Sequence, residues 1–385
     1  MRRFSLAAAL IVSLTSTDLH AGDLWKKHVV HEGERCNAVV GGDFTGDGKV
    51  DVISNSGGKT RLFVAPSWTE YVIDATPGHG FIHAESFDVD RDGDPDFIGA
   101  RYKPGLVVWL ERPNDPTAGP WKARVADQEI NGIHGLLKGD VNSDGKIDLL
   151  ANSAQPVGAF PNSGAWLEVP ENPRSAKSWT RHIFARQDAP GLSHYLGVGD
   201  VNGDGRVDIA MGAKGGPQDT SGMGEWFAWW EAGADPTKPF KKHELPGVHP
   251  GATNIQQADV DGDGDTDFIA TRGHGHGIIW FENPGRAGGV WPTHDINPLL
   301  QFPHCLQVLD MDGDGDVDAA TCAYGSQVAA WFENDGKGQF KTHVVATGQA
   351  AYDIRALDMD ADGDIDLLIA GQQSQNVAWY ENPRK

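Results

Sequence analysis

Seven times along the chain the pattern Asp-x-[Asp/Asn/Thr]-x-Asp-Gly-x-x-Asp recurs. Side-chain oxygens at alternating positions can wrap one hard cation within such a loop, and the glycine permits the sharp turn this needs. Calcium, which accepts six to eight oxygens at flexible angles, suits the pattern better than magnesium. The expected ligands are Asp43, Thr45, Asp47 and Asp51 in the first loop, Asp88, Asp90, Asp92 and Asp96 in the second, and Asp140, Asn142, Asp144 and Asp148 in the third. The fourth offers Asp200, Asn202, Asp204 and Asp208, and the fifth Asp259, Asp261, Asp263 and Asp267. Asp310, Asp312, Asp314 and Asp318 form the sixth, and Asp358, Asp360, Asp362 and Asp366 the seventh. Thr45, Asn142 and Asn202 each replace a carboxylate, so their loops should bind more weakly. Up to seven Ca2+ ions are expected. The loops hold 29 of the 54 acidic residues, and seven such ions would bring the formal charge from −22 to about −8. Crowded carboxylates repel one another until a cation joins them, so the expected role is to pin the loops; calcium sensing is the alternative.

A second chemistry lies in the residues that break this repeat. Six residues before the first loop Asp stand Asn37, His134, His194, His304 and Tyr352. Five and three residues before it stand His83, Glu85, Tyr195, Asn254, Gln256, Gln307, Asp353 and Arg355. Beyond the loops come Arg101, Tyr102, Lys214 and Arg272, the last followed by Gly-His-Gly-His with His274 and His276. Elimination β to a uronic or keto carbon needs a base for the α-proton and a cation for the enolate-like charge. His134 or His194 could be that base, Tyr195 the proton donor to the leaving oxygen, and Arg101, Arg272 or Arg355 the charge stabiliser. His83 and Glu85 are further catalytic candidates, while Tyr102, Lys214, Asn254, Gln256, His274, His276, His304, Gln307 and Asp353 would hold the substrate. The three histidines six before their loops could instead hold a transition metal, since imidazole suits zinc or copper. These polar groups could also merely line a solvated channel.

Positioning them requires a repeated scaffold. The loop starts lie 45, 52, 60, 59, 51 and 48 residues apart, the period of a repeat fold. An apolar run precedes and follows each loop, and a third strand ends in a Trp motif such as VVWLERP at 107–113 or VAWYENP at 377–383. A fourth carries an aromatic-x-x-His pattern, with His182, His243, His294 and His343. Four strands per unit make a propeller blade, so the fold class is an all-β, seven-bladed β-propeller. The last unit stops after its third strand, whereas residues 24–30, LWKKHVV, look like a fourth strand lacking its first three. The two ends should complete one blade, leaving no free sheet edge around the ring. Positions four before the loops are apolar and should pack between blades; alternation sends positions five and three to the central channel. The repeated Trp109, Trp166, Trp280, Trp331 and Trp379 are expected in inter-blade packing rather than as sugar platforms, and His28 and the other fourth-strand histidines as structural.

Seven matches to one loop cover nearly the whole chain, and in this the sequence resembles the FG-GAP or VCBS-type calcium-loop propellers, relatives of the integrin α-chain head. The resemblance implies a seven-bladed propeller with structural calcium. The blade motifs are also similar to the propeller part of aldos-2-ulose dehydratase-type enzymes, which implies action on a keto-sugar in such a channel. Several polysaccharide lyases are likewise propellers with His, Tyr and Arg sites, an analogy of fold.

Composition narrows the classes. A net charge of −22 argues against a groove that follows a phosphate backbone, so no nucleic-acid partner is expected. Residues 1–21 read as a signal peptide, with Met1-Arg2-Arg3 before the apolar run from Ser5 to Leu14, which predicts a secreted or periplasmic protein. No later run reaches the roughly 20 apolar residues of a membrane span. Cys36, Cys305 and Cys322 are too few to staple the fold, though Cys305 and Cys322 could meet across one hairpin. The expected function is a carbohydrate lyase or dehydratase with its site at the channel mouth. A lectin or adhesion module is the alternative, but it would repeat its pocket by blade, and here the candidates differ from blade to blade. A purely structural surface protein would not need a polar channel.

Overall fold

The computed structural model describes residues 24–76, 80–285 and 289–383. The expected signal peptide lies outside them. Twenty-eight strands form seven four-stranded antiparallel sheets, each a blade. The innermost strands are Cys36–Gly42, His83–Phe87, Leu136–Gly139, Ser193–Gly199, Asn254–Ala258, Pro303–Leu309 and Asp353–Leu357. Each touches the next, and Asp353–Leu357 touches Cys36–Gly42, so the seven close into a ring about a central channel.

Closure happens as the two chain ends foreshadow. Lys26–Glu32 pairs antiparallel with Asn376–Glu381, placing His28 opposite Trp379 and Lys26 opposite Glu381. The N-terminal strand is thus the outer strand of the seventh blade, which carries no unpaired edge toward the ring.

Seven separate apolar clusters hold the ring, each spanning one boundary between neighbouring blades. Leu136, for example, packs with Ile98, Trp109 and Leu149 between blades two and three, and Leu306 with Ile269, Trp280 and Phe332 between blades five and six. Val39, Leu196, Ile255 and Ile354, the equivalent positions, are likewise buried, one in each of four other clusters. Burying each such side chain is worth roughly 1.5–3 kcal/mol. Cys305 and Cys322 do face each other across one hairpin, as buried free thiols.

The fourth-strand histidines serve a repeated outer device. The His28 ring stacks on Trp379 at 3.9 Å and its Nε2 lies 2.7 Å from Glu381. The same stack and pair recur in Trp229, His243 and Glu231, in Trp280, His294 and Glu282, and in Trp331, His343 and Glu333. His182 stacks on Trp166 and stands 3.4 Å from Glu168. In blade two Arg124 takes the place of histidine, lying over Trp109 and 2.7 Å from Glu111. Trp229 joins the repeated tryptophans; its neighbour Trp230 in the run WFAWW hides the register in the sequence.

Candidate functional site

Two kinds of site lie on this scaffold, one repeated and one not. In each loop the first Asp caps the turn: Asp43 accepts hydrogen bonds from the backbone N–H of Gly46, Asp47 and Gly48 at 2.7–3.0 Å. The glycine at position six adopts φ between 80° and 98° in all seven loops. A Cβ there would meet nothing within 4 Å, so the left-handed backbone, not crowding, demands glycine.

The last Asp is buried and ties the loop to the blade. Asp96 accepts from Val89 N–H at 3.2 Å and from Arg112 N–H, at the end of the third strand, at 2.7 Å; Asp208 and Asp366 repeat both bonds. Desolvation pushes the carboxyls of Asp96, Asp148, Asp267 and Asp366 up to about 7, a cost that a bound cation would offset. Carboxylate oxygens of Asp88, Asp90 and Asp96 lie within 4.8 Å of one another, as do those of Asp259, Asp261 and Asp263 and of Asp310, Asp312 and Asp318. Asp90 Oδ1 is buried without a hydrogen bond, while its Oδ2 lies 2.8 Å from Arg174. These donors, all hard oxygens, fit a calcium ion.

The unrepeated site lies at one mouth of the channel. His134 and His194 stack at 3.8 Å, and a nitrogen from each lies within 4.8 Å of one from His304. His194 Nδ1 lies 3.1 Å from the carbonyl of Leu192, which accepts its proton. That leaves the lone pair on Nε2, which faces His274 Nε2 at 2.9 Å. His304 Nδ1 lies 3.2 Å from both the Tyr352 carbonyl and the Tyr195 hydroxyl, which leaves its buried Nε2 without a partner. His134 Nδ1 is also buried and unpartnered. Burial first, and neighbouring imidazoles and Lys214 second, hold His134 and His194 well below the usual histidine range; burial also lowers His304, to about 4, against the upward pull of its bond to the Tyr352 carbonyl. All three are neutral at pH 7.

A cavity of about 550 Å3 opens over this cluster, lined by Tyr102, Lys103, His134, Gln155, His194 and Lys214 together with the segment 218–221. Gln155 Nε2 donates to the Tyr102 hydroxyl, and Lys214 Nζ to Gln218 Oε1 at 3.1 Å. Burial lowers the Lys214 ammonium. Below the mouth a second cavity of about 470 Å3 runs down the channel, lined by His83, Glu85, Asn254, Gln256, Gln307 and Arg355 among others. Tyr195 stands between the two: its ring meets His83 edge-on at 4.5 Å in the lower cavity while its hydroxyl reaches His304.

Several expected site residues are held elsewhere. Arg101 pairs with Asp74 at 2.7 Å and lies over Phe81, away from the mouth. Arg272 donates to His249 Nδ1 at 3.3 Å. Arg355 spans the lower channel, bonded to Glu85 at 3.1 Å and to the carbonyls of Ala84 and Val39, with buried Asp353 at 3.5 Å. None of the three arginines therefore faces the mouth, and Glu85 and Asp353 are committed to Arg355. The amides of Gln256 and Gln307 both donate to the Leu306 carbonyl. His276 is exposed beside Phe302, apart from the histidine cluster. The cations at the mouth are Lys214, which was expected there, and Lys103, which was not. Segment 218–221 and Gln155 were also missed. Their signal was spacing: units three and four are the longest, and the extra residues lie in the connections 154–162 and 214–225 that wall the mouth.

A ring of seven four-stranded blades with an acidic hairpin loop in each defines a seven-bladed β-propeller. The FG-GAP-like repeat matches residues 88–151, 200–270, 259–321 and 310–369, and the chain belongs to that family. No curated protein matches the sequence. Among solved structures, the streptogramin B lyase structure is similar with a TM-score of 0.60 at 11% identity, over 92% of this chain and 97% of that one. BBS1N, in a crystal structure of its complex with ARL6DN soaked with lead, is similar with a TM-score of 0.59 at 11% identity, over 94% and 98%. Likeness at that identity bears on the fold alone.

Proposed function

We propose that the protein is an exported carbohydrate lyase or dehydratase whose site is the histidine-lined mouth, on a propeller pinned by calcium in its loops. The observation that carries this reading is chemical asymmetry. One mouth gathers neutral imidazoles, the Tyr102 phenol and two ammonium groups over a cavity large enough for a sugar unit, and among the described residues no other blade pair repeats them. In the elimination, an imidazole, that of His134, takes the proton α to the carbonyl or carboxyl carbon. The carbon–oxygen bond at the β position breaks, a double bond forms, and the leaving oxygen takes a proton from Tyr102, whose own hydroxyl accepts from Gln155. This replaces the expected donor Tyr195, whose hydroxyl is turned to His304 and which lines the lower cavity instead.

A depressed imidazole is a weak base, which bears on the substrate class. A carboxylate bound by Lys103 and Lys214 beside the rings would favour their protonated form and bring the base nearer to neutral pH. An acidic sugar therefore fits better than a neutral one. The streptogramin B lyase structure offers a precedent for the fold only and assigns no residue here.

The test is incubation of the purified protein with uronic-acid polysaccharides and with keto-sugars, following the ultraviolet absorbance of an unsaturated product. Turnover that His134→Ala lowers by about 10²–10⁴-fold is expected. Lys214→Ala should raise KM for the acidic substrate. Sugar binding without turnover would make the protein a lectin. For the loops, chelation should lower the thermal midpoint and added Ca2+ restore it.

A further inference from the structure

We infer that His134, His194 and His304 form a binding centre for one divalent transition metal at the channel mouth, with His274 at its rim. The centre occupies the pocket of the elimination reading and competes with it, since the single lone pair of a neutral His134 either binds the metal or takes the proton. It stands on different observations, so the failure of one leaves the other to be judged by its own test.

Those observations are the orphaned nitrogens and what orients them. Three imidazole nitrogens lie within 4.8 Å of one another, and His134 Nδ1 and His304 Nε2 are buried without any hydrogen-bond partner. Leaving buried polar atoms unpaired is costly, so such a group points to an absent ligand. The acceptor lone pair of His194 meets only another imidazole, that of His274. On His194 and His304 the remaining ring N–H is anchored by a backbone carbonyl, of Leu192 and Tyr352. That is the outer-shell arrangement which fixes the tautomer of metal-bound histidines and leaves the other nitrogen free to bind.

The donor set also selects the ion. Among the described residues no carboxylate joins the three histidines, and the Lys214 ammonium opposes positive charge there, so a hard cation held by charge alone, such as calcium, does not suit the site. Directed nitrogen lone pairs suit zinc, copper or nickel instead. The edges of a closed tetrahedral site are about 3.4 Å, which lies inside the 4.8 Å that bounds the three nitrogens. The other mixed donor set in the channel, His83, Cys305 and Asp353, lacks this character: Arg355 stands 3.5 Å from Asp353 and takes the place a cation would fill.

Co2+ is the probe, added to the full chain in a large excess of Ca2+ so that the acidic loops are occupied. Equilibrium dialysis should find one Co2+ per chain, with the visible absorption of a nitrogen-rich site. His194→Ala and His304→Ala should weaken binding by at least the roughly 10–100-fold that even an outer-shell loss costs. His274→Ala, at the exposed rim, gives a variant whose folding is not at stake and should weaken it too. His243→Ala, on an outer strand, should leave it unchanged. Absence of Co2+ above the calcium-competed background, or binding that survives all three mouth substitutions, would overturn the centre. Retained metal with no turnover on any sugar leaves the centre standing and ends the elimination reading.

Discussion

Two populations of histidine in one chain have opposite fates. His28, His182, His243, His294 and His343 each stack on a tryptophan and face a glutamate of the neighbouring strand. His134, His194, His274 and His304 face one another, with no carboxylate among them. The first set closes its own chemistry: the ring is packed on the indole and its Nε2 is bonded to the glutamate. The second holds four imidazoles within ring-contact distance: the His194 lone pair meets only another imidazole, and His134 Nδ1 and His304 Nε2 have no hydrogen-bond partner. Burial of satisfied groups stabilises; burial of unsatisfied ones marks a place where something else binds.

Breaking a satisfied group should therefore cost stability without touching chemistry. The largest such loss is expected at Arg355→Ala. It would strand Glu85 and Asp353 in the channel wall, and removing one partner of a buried pair costs about 3–5 kcal/mol. Denaturant unfolding measures it. A shift under about 1 kcal/mol would mean that water already solvates the lower channel.

A smaller loss is expected at His243→Ala, which removes a stack on Trp229 and a contact with Glu231. Aromatic stacking beyond area burial is worth about 0.5–1.5 kcal/mol, and the partly exposed pair adds little. Sugar turnover and Co2+ binding should both survive. Loss of either would collapse the distinction between the two populations.

The smallest effect sharpens the comparison through pH. The hydrogen bond from His243 holds the Glu231 carboxyl below its ordinary value of 4.5. A depressed carboxyl stabilises the fold above its unfolded pKa, and this contribution is lost as pH falls through the folded one. Glu231→Gln should thus lower stability by about 0.5 kcal/mol at pH 7, with the gap to the parent closing below pH 4.5. A gap independent of pH would assign the pair to packing alone.

Much of this molecule can be read along the chain, and the reason is locality. Each nine-residue loop contains its own turn glycine, its own capping Asp and the Asp that returns to the blade. The period of the loops and the unmatched strand at each end likewise specify seven blades and the closure at Lys26–Glu32. The alternation of inner-strand positions places His83, Tyr195 and Arg355 around the channel, where they stand. What the chain alone left undecided was which polar groups would find partners. Arg101 meets Asp74 of the neighbouring blade, Arg355 meets Glu85 from the other end of the sequence, and Arg272 meets His249. Such pairings depend on how blades dock and on side-chain reach, neither of which a local pattern encodes. Only the closed ring satisfies the arginines, carries Lys103 and Lys214 to the mouth, and leaves His134 Nδ1 and His304 Nε2 without a partner.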